Sequence, residues 1–192
     1  MRRKNINMFN LKEKYQKEVI PEMMKKFGYK NKMAVPKIKK VVINSGFGKM
    51  ISGKTADEHK KIQENILNDL TLITGQRAIF TKAKKSIASF KIRQGMLIGS
   101  MVTLRKKKMF DFLDRLIHIV IPRTRDFQGF KLKSFDKTGN LTIAVKEHIV
   151  FPEIMPEKTK FIFGLEVIVN TTAKNKEEGI ELLKLLGFPI KI

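Results

Sequence analysis

Four segments of the chain place apolar residues at the three- and four-residue spacing of an amphipathic helix. Their ranges are 11–27, 57–74, 107–121 and 176–186. Gly28 and Gly75 follow the first two segments, as is typical of helix C-termini. Pro21 is expected to kink or restart the first helix, and Pro122 to end the third. The pattern therefore predicts four helices.

Residue types that favour helix N-caps precede three of these segments. Asn10 precedes the first, and Asn175 precedes the last with Glu178 three residues further on. Thr55 and Glu58 precede and open the second segment in the S/T-x-x-E spacing of a capping box. These residues set the predicted starts of three helices.

Five apolar stretches, some of them alternating, predict strands. Their ranges are 35–47, 77–82, 97–105, 141–151 and 161–172. The links in the second half are hairpin-like, with the turn signal KTGN before the fourth strand. This mixture favours an α+β fold, an antiparallel β-sheet backed by helices, over a doubly wound parallel sheet. The 192 residues contain no linker-like tract, so one domain spanning 1–192 is expected.

Charge is the strongest compositional signal. Forty Lys and Arg residues against 18 Asp and Glu residues give a net charge of +22. Such an excess repels itself in a compact protein, and it usually indicates a polyanionic partner. No acidic residue occurs between Leu70 and Phe110, where every charge is positive. A Lys-rich surface made only for solubility would mix both signs, so nucleic acid is the favoured partner.

Other classes of function find little support. The sequence has no apolar run of eighteen residues and no signal-peptide core, and its first ten residues are too short for a transit peptide. We therefore expect a cytosolic protein without a membrane partner. Cysteine is absent, and no pair of the three histidines has a metal-binding spacing. No metal or cofactor site is predicted.

One motif suggests an enzyme. The stretch GKMISGKT, residues 48–55, matches the phosphate-binding pattern G-x-x-x-x-G-K-[ST]. A true phosphate loop would use Lys54 on the outer phosphates and Thr55 on Mg²⁺. However, Thr55 has a capping role available, and no predicted strand ends in the Asp that such sites use to organise the metal. A phosphate-loop enzyme is therefore an alternative, beside a general basic nucleic-acid-binding protein.

Five blocks of sequence carry a more specific signal. In chain order they are VPKIKKVVINSGFG (35–48), GQRAIFTKAKKSIASFKIRQG (75–95), IPRTRDFQG (121–129), KSFDKTGN (133–140) and HIVFPEI (148–154). Together they closely resemble the bacterial-type large-subunit ribosomal protein five family, over nearly the whole chain from Phe9. The resemblance implies a two-layer domain similar to RNA-recognition modules, although the aromatic RNP1 pattern of those modules is absent.

The resemblance implies a structural constituent of the large ribosomal subunit, with no enzymatic activity and no cofactor. Members of the family bind 5S ribosomal RNA and attach it in the central protuberance, beside other large-subunit RNA and other proteins of that region. They also contact peptidyl-site tRNA, and they touch small-subunit protein thirteen across an intersubunit bridge. The expected location is a cytoplasmic ribosome, and an organellar ribosome also fits.

Particular residues match the family's contacts to 5S RNA. The contacts carried over, with the basic residues expected beside them, are Asn44, Gln76, Thr103, Arg77, Arg105 and Lys39. Amide and hydroxyl groups can bond to exposed base edges, to sugar hydroxyls or to phosphate oxygens. The competing role for Asn44, Gln76 and Thr103 is to satisfy backbone groups at turns and strand ends.

The segment 82–95 matches the family's basic tRNA loop, which is expected to protrude. Its implied tRNA contacts are Lys82, Lys84, Lys85, Ser86, Ser89, Phe90, Lys91 and Arg93. The cations can neutralise phosphates, and the small serines let the backbone approach a strand closely. Phe90 can stack on a base or anchor the loop on the core, and the neighbouring Ile87 and Ile92 favour the anchor.

The remaining expectations concern the bridge, the N-terminus and the departures from the family. The implied bridge residues are Arg123, Arg125, Asp136 and Lys137, and residues 1–8 form a basic tail. The segment 48–57 is several residues longer than in the family, and the phosphate-loop match falls in that extra length. RKKKM at 105–109 replaces an expected glycine and acidic residue, and Gln128 replaces an arginine.

Overall fold

The computed structural model describes residues 10–125 and 127–191, and the predicted basic tail 1–8 lies outside these residues. The α-helices are α1 (Leu11–Lys14), α2 (Ile20–Phe27), α3 (Gly48–Ile51), α4 (Ala56–Thr74), α5 (Lys106–Arg115), α6 (Ile121–Arg123) and α7 (Lys176–Leu186). The strands are β1 (Ile38–Gly46), β2 (Ile79–Lys82), β3 (Leu97–Leu104), β4 (Leu141–Val145) and β5 (Leu165–Thr171).

The five strands form one sheet in the order β2-β3-β1-β5-β4. Antiparallel pairing joins β1 to β3, β2 to β3 and β4 to β5. Val41 pairs with Leu104 and Gly46 with Gly99, so β1 and β3 are aligned over most of their length. An antiparallel sheet with helices confirms the predicted α+β fold class.

The chain forms two compact units. The first, which we call the sheet unit, contains nearly all of the sheet with α3 and α4, over residues 40–104 and 141–170. The second, which we call the helical unit, contains the remaining helices, over the described parts of 1–39, 105–140 and 171–192. The expectation of one domain spanning 1–192 stays a prediction.

Helix α4 follows its prediction closely. Ile62, Ile66 and Leu70 are buried, and the helix packs against β3. Gly75 ends it at φ 64°, in the left-handed region that costs glycine no steric penalty. Start, buried stripe and end are all determined by residues close together in sequence.

The two prolines predicted to disturb helices each follow a π-helical turn. Tyr15–Val19 precedes Pro21, and Leu116–Val120 precedes Pro122. The wider turn shifts the hydrogen-bond pattern by one residue just before a residue that has no N–H to donate. The first helical segment continues to Phe27, and the third continues through Arg123 where the sequence predicted an end at Pro122.

Two further local predictions need correction. The fourth strand ends at Val145, because the chain turns into a short 3₁₀ helix at His148–Val150. The side chain of Asn175 makes no capping hydrogen bond; instead, Glu178 Oε2 accepts from the backbone N–H of Lys174 at 3.0 Å. Across 10–125 and 127–191, no helix combines the length and the hydropathy that a membrane span requires.

Candidate RNA interface

One face of the sheet is only half-buried. Side chains alternate along a strand, so Val41 and Ile43 of β1 point to the buried face, and Val42 and Asn44 point to the other. Strand β4 repeats the pattern, with Ile143 buried and Ala144 exposed. We call this less buried side of the sheet the open face.

The open face brings together three residues that the sequence assigned to 5S RNA. Val42 pairs with Thr103 and Asn44 with Met101, which makes Asn44 and Thr103 diagonal neighbours on one face. Gln76 Nε2 donates to the backbone carbonyl of Thr103 at 3.2 Å. We call Asn44, Gln76 and Thr103 the polar triad.

Most of the triad's hydrogen-bonding capacity is unused. Among residues 10–125 and 127–191, neither the Asn44 amide nor the Thr103 hydroxyl has a hydrogen-bond partner. Gln76 uses one amide hydrogen on backbone, as the competing interpretation of this residue expected, and its Oε1 accepts no bond within the same residues. The Asn44 amide, the Thr103 hydroxyl and Gln76 Oε1 therefore remain able to bond to another molecule.

The end of α4 fixes where Gln76 stands. Thr74 Oγ1 donates to the carbonyls of Leu70 at 2.7 Å and Gln76 at 2.9 Å, and Gly75 turns the chain between them. This local arrangement places the Gln76 amide over β3 and leaves the adjacent Arg77 exposed.

The cations predicted beside the triad are spread more widely. Lys39 and Arg105 are exposed but belong to the helical unit. Within β1, Lys40 rather than Lys39 lies on the same face of the strand as Asn44. Lys40 is therefore a candidate RNA contact that the resemblance did not supply. Ile79 of β2 pairs with Met101, is 59% exposed, and is a second such candidate. Strand alternation in the sequence was the signal that could have found both.

A shallow depression of about 340 Å³ lies beside Asn44 on the open face. Lys146 and Glu166 line it together with the glycines Gly46 and Gly164. Two opposite charges and two residues without side chains make this part of the face adaptable to base edges rather than to phosphate alone.

The basic loop 82–95 has a defined backbone. Hydrogen bonds close its base, from Ala83 N to the Met96 carbonyl at 2.8 Å and from Gly95 N to the Ala83 carbonyl at 2.9 Å. Reciprocal bonds between Ile87 and Ile92, at 2.9 and 3.1 Å, close its tip. The loop's shape therefore depends on backbone bonds and not on its charged side chains.

The charged side chains of the loop are left uncommitted. All five cations are exposed, and none forms an ion pair within the described part of the chain: Lys82, Lys84, Lys85, Lys91 and Arg93. Ser86 has a structural role, since its Oγ accepts from Gln94 N at 2.9 Å, whereas Ser89 is exposed at the tip.

The loop tip contacts the segment 48–57. Ser52 Oγ donates to the carbonyl of Phe90 at 3.3 Å. Residue Phe90 is 54% exposed, so its backbone is held there while its side chain remains partly available. The sequence favoured Phe90 as an anchor; the hydrogen bond anchors its main chain.

The phosphate-loop motif does not form a phosphate cradle. Gly48 begins the helical turn α3, and Lys54 Nζ lies 5.5 Å from the centre of the Phe161 ring. Glu58 Oε2 accepts from the backbone N–H of Thr55 at 3.0 Å and from its hydroxyl at 3.1 Å. These two bonds, the backbone one first, lower the pKa of Glu58. The Glu58 carboxylate thus occupies the Thr55 groups that a phosphate loop would use on phosphate and Mg²⁺.

The predicted bridge residues divide into two kinds. Arg123, Arg125 and Lys137 are exposed cations in the helical unit. Asp136 organises a turn: its Oδ1 accepts from the backbone N–H groups of Thr138 and Asn140 at 2.9 and 2.8 Å. Burial alone would raise the pKa of Asp136, but the bonds from Asn140 and Thr138 outweigh it and lower that pKa.

The sheet unit also contains a buried imidazole. His148 is fully buried and stacks on Phe163 with ring centres 3.9 Å apart. Its Nδ1 accepts from the Phe163 N–H at 3.4 Å, and its Nε2 lies 3.4 Å from Asp69 Oδ2. Residues 10–125 and 127–191 contain no group of three or more His, Cys, Asp or Glu that could hold a metal ion.

Comparison with known proteins gives a consistent result over the chain. Residues 31–93 match a family model described as ribosomal protein L5, and residues 97–190 match the model of the C-terminus of that ribosomal family. The large ribosomal subunit protein uL5 of Clostridium beijerinckii is 51% identical over 182 residues, which are 95% of this chain and 98% of the relative. That of Desulforapulum autotrophicum is 52% identical over 184 residues, 96% and 99% of the two chains.

Proposed function

Because the chain belongs to the ribosomal protein L5 family and is a structural, non-enzymatic component of the large ribosomal subunit, we propose that it binds 5S ribosomal RNA and helps attach it in the central protuberance. The ribosome is proposed to be cytoplasmic. The single observation that carries the proposal is the polar triad on the open face of the sheet.

The triad suits single-stranded or irregular RNA. Amide and hydroxyl groups without protein partners can bond to the edges of unpaired bases and to 2′-hydroxyls, and they would distinguish one RNA from another. The neighbouring cations Lys40 and Arg77 would bind phosphates without regard to sequence. Specificity and general affinity would then come from different residues.

The basic loop is proposed as the contact to peptidyl-site tRNA. Its five cations form no ion pair with any residue in 10–125 or 127–191, and backbone bonds close the loop that carries them. Neutralisation by a sugar–phosphate strand would relieve the repulsion among them.

Arg123, Arg125 and Lys137 are proposed as the contacts to small-subunit protein thirteen. Asp136 would support Lys137 by holding the turn, since its carboxylate is already saturated by Thr138 and Asn140. Large-subunit RNA and other proteins of the central protuberance are proposed as neighbours of the exposed basic surface.

The test is a competition titration of the full-length protein on 5S RNA, with tRNA and a random RNA of equal length as competitors, at two salt concentrations. We expect preference for 5S RNA. For each phosphate neutralised, log K of binding should fall by about 0.7 to 0.9 for a tenfold rise in salt concentration. Equal affinity for all three RNAs would refute the proposal and leave a general polyanion-binding protein.

The triad is tested by Asn44→Ala. Loss of one hydrogen bond should weaken 5S binding about 2- to 12-fold without changing the salt slope, because no phosphate contact is removed. Asn68→Ala is the matched control, since Asn68 is exposed on α4 and should leave binding unchanged. Equal effects of the two substitutions would exclude the open face as the specific site.

A further inference from the structure

A groove of about 590 Å³ separates α3 from the tip of the basic loop, within the sheet unit. The residues that line it are Gly46, Gly48, Lys49, Ser52, Ser89, Phe90, Ile92 and Ile98. Its volume lies within the range of about 300–1,000 Å³ that is usual for ligand pockets. We call it the tip groove.

The floor of the tip groove is apolar, and its walls are fixed. A Cβ atom built on Gly48 would stand 3.7 Å from Ile92 Cδ1 and from Ile98 Cβ. A Cβ would fit there at ordinary contact distance, and a larger side chain at Gly48 would crowd these two residues. The Ser52–Phe90 hydrogen bond holds the opposite wall against α3.

The rim of the groove is basic and polar. Lys49 lines the groove directly. Lys91 and Arg93 are the sequence neighbours of the lining residues Phe90 and Ile92. Ser52 and Ser89 add hydroxyl groups. No acidic residue occurs between residues 71 and 109, so the loop wall of the groove contributes only positive charge.

An aromatic ring completes the site. Phe90 lines the groove while 54% of the residue is exposed. A flat apolar ring beside a cationic rim matches the two parts of a nucleotide, because the base can stack on the ring while the phosphate lies between lysines. An apolar peptide would satisfy the floor but not the charge.

We propose that the tip groove binds one unstacked base of the RNA strand held by the basic loop, with the base on the Phe90 ring and the adjacent phosphates at Lys49 and Lys91. This inference rests on the proposed contact between the loop and tRNA, and it adds α3 to that contact. The lengthened segment 48–57 then serves as one wall of a nucleotide site.

The test uses the full-length protein and a short single-stranded oligoribonucleotide that carries one 2-aminopurine, whose fluorescence falls when it stacks on an aromatic ring. Wild-type protein should quench the probe. Phe90→Leu should abolish the quenching and weaken binding about 5- to 150-fold, and Gly48→Leu should do the same by filling the groove. Normal quenching in both variants would overturn the proposal.

Two controls separate this inference from the proposed function. Lys91→Ala should reduce the slope of log K against log salt by about 0.7, while the quenching at saturating protein persists. Loss of that quenching would show that the signal depends on charge rather than on stacking, and it would overturn the proposed site. Competition with intact tRNA identifies the strand. If tRNA fails to displace a quenched probe, the nucleotide site stands and the tRNA contact is refuted.

Discussion

The buried His148 makes a sharp prediction about stability. Substitution by alanine removes a ring stacked 3.9 Å from Phe163, the acceptor of the Phe163 N–H, and the partner of Asp69. Truncation of a buried aromatic residue costs about 3–5 kcal/mol. Loss of the acceptor adds about 1–3 kcal/mol if the Phe163 N–H remains buried without a water or protein partner. We expect His148→Ala to destabilise by at least about 3 kcal/mol.

The same residue predicts how stability depends on pH. Burial lowers the pKa of His148, and the Asp69 carboxylate offsets this only in part. The unfolded chain therefore binds the proton at a higher pH than the folded protein does. The contribution of His148 is complete above the unfolded pKa of about 6.5, and it is lost as the pH falls below that value.

Asp69 acts in the opposite direction in a lower pH range. Burial raises its pKa above the ordinary value, despite the attraction of His148. The folded protein then binds this proton more readily than the unfolded chain, so protonation stabilises the fold as the pH approaches about 4, the ordinary Asp range. The loss caused by His148 should flatten there.

Urea unfolding followed by circular dichroism at about pH 8, 7, 6, 5 and 4 measures both effects. Wild-type stability should fall below about pH 6.5 with a slope of at most about 1.4 kcal/mol per pH unit from this one group. His148→Phe keeps the ring and removes the titration, so its profile should lack that part of the slope. His118→Phe, at a partly exposed histidine, is the control. Identical slopes in wild type and His148→Phe would refute the reasoning.

Two further substitutions test close backbone features by thermal unfolding. Gly179→Ala places a methyl group against the backbone of Gly139, and overpacking of this kind should cost about 1–3 kcal/mol; an unchanged midpoint would show that the turn yields freely. Lys106 is a non-glycine residue at φ 53°, a backbone conformation that costs about 1–2 kcal/mol. Lys106→Gly removes this strain at the cost of about 0.5–1 kcal/mol of extra conformational entropy, so the unfolding midpoint should rise. A lower midpoint would mean that the Lys106 side chain makes a stabilising contact.

The parts of the fold that the sequence predicted best depend on neighbouring residues. The capping box at Thr55, the stripe at Ile62 and Ile66, and the stop at Gly75 lie within one helix, so the pattern alone specifies them. The π-helical turn before Pro122 was not predicted, because a pattern of apolar positions cannot distinguish a one-residue shift in hydrogen bonding.

The candidate site depended on pairings between distant segments. Periodicity predicted β1 and β3 as strands, but only the register places Asn44 diagonally to Thr103 and brings Gln76 onto the same group. Family resemblance named these residues without that geometry. It also assigned Asp136 to the bridge, although the turn it forms already uses its carboxylate.

The basic loop explains how so much positive charge is held in one place. Side chains that repel one another cannot fix the conformation of a loop, so the shape of this loop must come from uncharged groups. Backbone bonds at Ala83 and Ile87 supply that shape, and Ser52 ties the tip to α3. Within the described part of the chain the cations form no ion pairs, which is the condition under which a phosphate strand gains the most by binding to them.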